Sequence, residues 1–137
     1  MTFAGINYLA VVVAAIAAFF FSGIYYRVLG DVWMKAIGFN KKSMANKSMH
    51  TPLVIAAVAD LIMAWVLAGL VAHLGAGQVT AKNGVVSAAF VWLGFVATTI
   101  AVNYAFGMRK PMLSVIDSAH WLLVLVIMGA IIGAFGV

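Results

Sequence analysis

Residues 112–135 read MLSVIDSAHWLLVLVIMGAIIGAF. Asp117 and His120 are the only ionisable side chains in that run, and both fall in its first half. A membrane-crossing helix needs about 20 mostly apolar residues, and this stretch meets that length. Three more segments do the same. One runs from about 3 to 26 and carries no charge; one runs from about 51 to 74 and carries Asp60; one runs from about 85 to 106, again uncharged. Pro52 and Pro111 stand at the start of the second and fourth runs. Proline is tolerated there because the missing N–H has no helical partner in a first turn. The expected fold is all-α and integral to a membrane: a bundle of four transmembrane helices in a single domain over 1–137.

Composition points the same way. Of 137 residues, 66% are apolar and 8% charged, with a mean hydropathy of +1.16. Soluble domains run near 45–50% apolar and about 25% charged. The chain has too little polar surface to cover its apolar side chains in water, which excludes soluble, disordered and fibrous classes. No period-2 strands of about ten residues occur, so a membrane barrel is excluded as well. The absence of cysteine removes disulfides, thiolate metal sites and cysteine nucleophiles. The first run lacks a positively charged leader and is too long for a signal peptide, so it reads as a retained helix.

Charge then gives direction. Arg27, Lys35, Lys41, Lys42 and Lys47 lie between the first two runs, and Arg109 and Lys110 between the last two. Only Lys82 lies in the middle connection. Basic loops stay cytoplasmic, which puts both termini on the outer, periplasmic or extracellular side of a bacterial inner membrane. The net charge of +5 is read as topology and contact with anionic headgroups, not as nucleic-acid binding. Within the first loop, Leu29, Val32, Trp33, Ala36 and Ile37 recur at helical spacing, with Asp31 and Lys35 paired at i,i+4. This predicts a short amphipathic helix over about 28–38, lying in the interface and anchored by Trp33.

Small residues let helices approach in lipid. The runs offer Ala10, Ala14, Ala18 and Ser22; Ala64, Ala68 and Ala72; Ala97, Ala101 and Ala105; and Gly129 with Gly133 at GxxxG spacing. More small faces than four helices need predict a homo-oligomer.

The intramembrane polar groups are the candidate site. An aspartate at the centre of a membrane helix costs about 2.5–3.5 kcal/mol on insertion scales, so it faces protein or water. Asp60 lies about 13 Å from the start of its run, Asp117 about 8 Å and His120 about 12 Å. Ala56, Ala57 and Ala64 flank Asp60 at helical spacing, a close-packing face. Thr98, Thr99 and Asn103 in the third run, and Ser22, Tyr25, Tyr26 and Arg27 at the end of the first, reach the same half. The expected layer therefore comprises Asp60, Asp117, His120, Asn103, Thr99, Tyr25 and Arg27. It either fixes helix register as a buried network or lines a cavity that binds something. A His with two carboxylates matches a metal set by residue type, without HxxxH or ExxH spacing. His73 lies near the opposite face from His120, against a bis-histidine haem. Ser114 and Ser118 lack a nucleophile elbow. Proton handling suits the residue types best.

Several short motifs occur in order: Gly23-Ile24-Tyr25-Tyr26, Trp33-Met34, Met63-Ala64-Trp65-Val66-Leu67, Trp92-Leu93-Gly94-Phe95, Ile116-Asp117-Ser118-Ala119-His120 and Met128-Gly129-Ala130-Ile131-Ile132-Gly133. Together they resemble the domain of unknown function 1761 family over nearly the whole chain. That resemblance implies a small four-span bacterial membrane protein and leaves mechanism open. The leading functional reading is an oligomeric channel or carrier for protons, ions or a small polar solute, without a cofactor. The alternative is a non-catalytic structural or accessory membrane subunit, and the third an intramembrane enzyme, for which no cofactor motif is present.

Overall fold

The four apolar runs fold as long helices in this computed structural model, which describes residues 5–136. In chain order the α-helices are α1 (Tyr8–Ile37), α2 (Lys41–Ala45), α3 (His50–Ala72), α4 (Ala81–Val91), α5 (Thr98–Phe106) and α6 (Pro111–Phe135). A π turn over Trp92–Ala97 joins α4 to α5, so the third span is continuous from Ala81 to Phe106. There is no strand among the described residues. The expected start of the first span near residue 3 lies outside them; the helix begins at Tyr8, where the Asn7 side chain accepts from the Ala10 N–H at 3.1 Å.

Helix α1 departs from the sequence reading. Its 30 residues span about 45 Å, against a hydrocarbon core of about 30 Å. The stretch expected as a separate interfacial helix over 28–38 is the last part of α1 itself. Nothing in 26–37 breaks the backbone pattern, and Gly30 is carried inside the helix. The stop comes at Gly38, which takes a left-handed φ of 80°. Its N–H reaches Lys35 O and the Phe39 N–H reaches Met34 O at 2.9 Å, satisfying carbonyls at the helix end. Asp31 pairs with Lys41 at 3.6 Å, not with Lys35. Both side chains are exposed, so the pair adds little.

Helix α6 is the hub. It packs on α1, α3 and α4, while the third span is the least covered of the four. The small-residue stripes explain how. Ala10, Ala14 and Ala18 of α1, Ala64 and Ala68 of α3, and Gly129 and Gly133 of α6 are all buried. At Gly129 a Cβ would stand 2.3 Å from the Gly84 carbonyl oxygen, and at Gly133 2.1 Å from that of Thr80. Only glycine permits this backbone-on-backbone approach, which replaces the hydrophobic drive that lipid does not supply. The GxxxG spacing is therefore consumed within one chain. Ala97 is half-buried and Ala101 and Ala105 are exposed, so the spare-face argument for a homo-oligomer contracts to that one stripe.

The connection after α1 and the one before α6 meet at one end of the bundle, where Lys110 Nζ donates to Lys35 O at 3.3 Å. This basic end is where the intramembrane polar groups gather.

Candidate functional site

Two of the three expected ionisable groups sit one turn apart on α6, and the third faces them from α3. Asp117, His120 and Asp60 are all buried, at 7%, 3% and 2% exposure. Their surroundings differ sharply.

Asp117 is fully engaged. Tyr26 OH donates to its Oδ1 at 2.6 Å and Trp33 Nε1 to the same oxygen at 3.1 Å. Tyr104 OH donates to Oδ2 at 2.7 Å. One carboxylate thus ties α1, α5 and α6 together. Tyr25 takes part beside it, donating to Ile116 O at 2.7 Å. Trp33, expected as an interfacial anchor, is a buried-side donor instead. It reaches Asp117 because α1 runs on without a bend.

His120 binds through one ring nitrogen. Ser22 OH lies 2.9 Å from Ala18 O, and Ser22 Oγ shares a hydrogen bond of 2.7 Å with His120 Nε2, whose direction follows the ring's tautomer. Nδ1 is buried and has no partner among the described residues. The ring is held among Tyr25, Tyr26 and Trp121, with centroids 4.6–5.3 Å away.

Asp60 makes no hydrogen bond or ion pair among the described residues, and its buried Oδ1 has no partner. No direct bond joins it to His120 or Asp117. It shares with His120 a cavity of about 520 Å³ between α1, α3 and α6. Ser22, Asp60 and His120 supply polar groups, Phe19, Tyr26, Trp33 and Trp121 supply aromatic ones, and Met44 and Met49 from the α1–α3 connection also border it. The volume falls in the range of small-molecule sites, about 300–1,000 Å³. No lysine or arginine borders it.

Three expected members stand elsewhere. Arg27, Thr99 and Asn103 are exposed. Thr99 donates to Phe95 O and Thr98 to Gly94 O within their own helix. The π turn accounts for Thr99. Counting about 100° per residue from buried Ala88, an unbroken helix would put Thr99 within about 20° of the α6-facing side and Tyr104 about 160° away. The wide turn adds a residue, which swings Thr99 outward and Tyr104 inward. Tyr104 reaches Asp117, while Asn103 beside it stays exposed. Trp92, at the start of the π turn, donates to Ser118 O at 2.8 Å and fixes the displaced register against α6. Periodicity in the sequence carries no sign of this insertion.

No group of three His, Cys, Asp or Glu side chains comes together among the described residues. Asp60 and His120, the two such side chains bordering the cavity, fall short of the ligand count of an ordinary metal centre.

Fold and site together define a multi-pass α-helical membrane protein with a buried polar knot and an adjoining cavity. The chain belongs to the family described as protein of unknown function (DUF1761), whose model matches residues 9–133. No curated protein and no solved structure matches it.

Proposed function

We propose that the protein is a membrane-embedded carrier that binds one small solute, with an apolar body and a polar head, in the cavity between α1, α3 and α6. One observation carries this reading: a cavity of about 520 Å³ bordered by two buried side chains, Asp60 and His120, that retain unpartnered polar atoms. A buried polar atom without a partner costs about 1–3 kcal/mol, and an occupant that supplies a donor removes that cost. The aromatic and methionine walls favour an amphipathic solute over a small, wholly polar one. The bias of basic residues supports placing the basic end in the cytoplasm of a bacterial inner membrane, with both termini outside. The cavity, bordered by Met44 and Met49 of the α1–α3 connection, then lies toward the cytoplasmic end. Any second copy would pack on the exposed third span, where Ala101 and Ala105 lie.

A non-catalytic accessory role draws on Asp117, whose three bonds cross helices and serve packing alone. That observation concerns the knot and leaves the cavity without a purpose.

The test uses Gly23, which borders the cavity and has open space where a Cβ would stand. Gly23→Leu fills the cavity from a helical position that tolerates a side chain. Titration of purified protein in lipid nanodiscs with 4-phenylbutanol should change the tryptophan emission saturably in the wild type and not in Gly23→Leu. Identical, non-saturating curves for both proteins would refute the binding reading. Uptake into proteoliposomes separates a carrier from a static receptor.

A further inference from the structure

We propose that the occupant of this cavity is an organic ammonium ion, held by the Asp60 carboxylate and screened by aromatic rings. The inference rests on the carrier reading and names the chemical class of its solute.

The polar lining decides the polarity of the ligand. Asp60 borders the cavity and makes no hydrogen bond or ion pair among the described residues. Its carboxylate oxygens are acceptors, so a matching ligand must bring donors. A carboxylate or phosphate head would meet lone pairs and like charge, and is disfavoured.

Charge narrows the class further. No lysine or arginine borders the cavity, so no protein cation balances Asp60 there. A buried carboxylate is stabilised by a paired cation with hydrogen bonds of its own. An inorganic cation would ask for about six oxygen ligands, which one carboxylate does not supply. A primary ammonium asks for fewer: its N–H groups fit the carboxylate oxygens, and its charge suits aromatic neighbours. Phe19, Tyr26, Trp33 and Trp121 border the same space. A cation over a ring face is attracted to it, most strongly when desolvated. The methionines at the α1–α3 connection, Met44 and Met49, are adaptable neighbours for an apolar tail.

Three probes on one skeleton test this: 4-phenylbutylamine, 4-phenylbutanol and 4-phenylbutanoate, titrated into wild type, Asp60→Asn and Gly23→Leu in nanodiscs. Gly23→Leu subtracts partitioning into lipid. The expected result is an amine that binds at least tenfold more tightly than the alcohol, a carboxylate that does not bind, and an amine-to-alcohol ratio that falls to near one in Asp60→Asn. Equal affinity of amine and alcohol in the wild type overturns the ammonium assignment and leaves the cavity reading intact. A tenfold preference that survives in Asp60→Asn overturns the role of Asp60. Failure of all three probes to distinguish wild type from Gly23→Leu overturns both the assignment and the carrier reading beneath it.

Discussion

Asp117 and Asp60 are both buried carboxyl groups inside membrane helices, yet their surroundings are opposite. Asp117 accepts from three donors on two other segments, Tyr26, Trp33 and Tyr104. Asp60 accepts from none among the described residues. In lipid a carboxyl group without partners is costly, so a fold that needed only packing at that place would carry an apolar residue. The contrast separates two kinds of intramembrane charge. The first kind locks helices together. The second leaves bonding capacity open beside a cavity and is explained by something that arrives from outside.

Substitutions can break or sharpen that contrast. Removing the knot should cost most. Asp117→Ala leaves three donors without their acceptor. At about 0.6 kcal/mol per interhelical bond on average, and about 1.7 at most, the loss should be about 2–5 kcal/mol, read from reversible unfolding in mixed micelles. Asp60→Leu should move stability the other way, by about 1–3 kcal/mol, because it removes an unpaired polar group from an apolar wall. A destabilised Asp60→Leu protein would mean that Asp60 has a structural partner. Tyr104→Phe should lower stability by about 0.6–1.7 kcal/mol, one bond of the knot, while leaving probe titrations of the cavity as in the wild type. The smallest effect belongs to the exposed pair at the basic end. Lys41→Ala should shift stability by less than about 1 kcal/mol and less still at high salt, since the Asp31–Lys41 pair is solvated.

Much of the fold was readable because lipid imposes length and apolarity so strictly that all four spans could be marked from the sequence alone. The burial of Asp60 was readable in part, from Ala64 on the same face; of its other two expected neighbours, Ala56 is half-buried and Ala57 exposed. The donors to Asp117 were not. Trp33 looked like an interfacial anchor because the apolar pattern over 28–38 matches a surface helix as well as the tail of a long one. Tyr104 was hidden, and Thr99 put forward, by the π turn at Trp92–Ala97, which rotates everything after it. A residue insertion that keeps helical hydrogen bonding leaves no mark in hydropathy. The glycine pair of α6 was read correctly as a close-packing face, but its partner was not legible. Gly84 lies in an otherwise ordinary stretch, and only the fold brings its backbone against Gly129.

The most direct measurement melts Asp60→Asn and Asp117→Asn side by side with the wild type, in one detergent and without added solute. Both substitutions are nearly isosteric and remove the same ionisable group, so packing changes largely cancel between them. The account predicts that Asp117→Asn unfolds at clearly lower temperature, because its amide nitrogen presents hydrogens to one of the donors that Asp117 accepts. It predicts that Asp60→Asn unfolds no lower than the wild type. Equal losses from both substitutions would contradict the division between a structural and a ligand-facing carboxyl group.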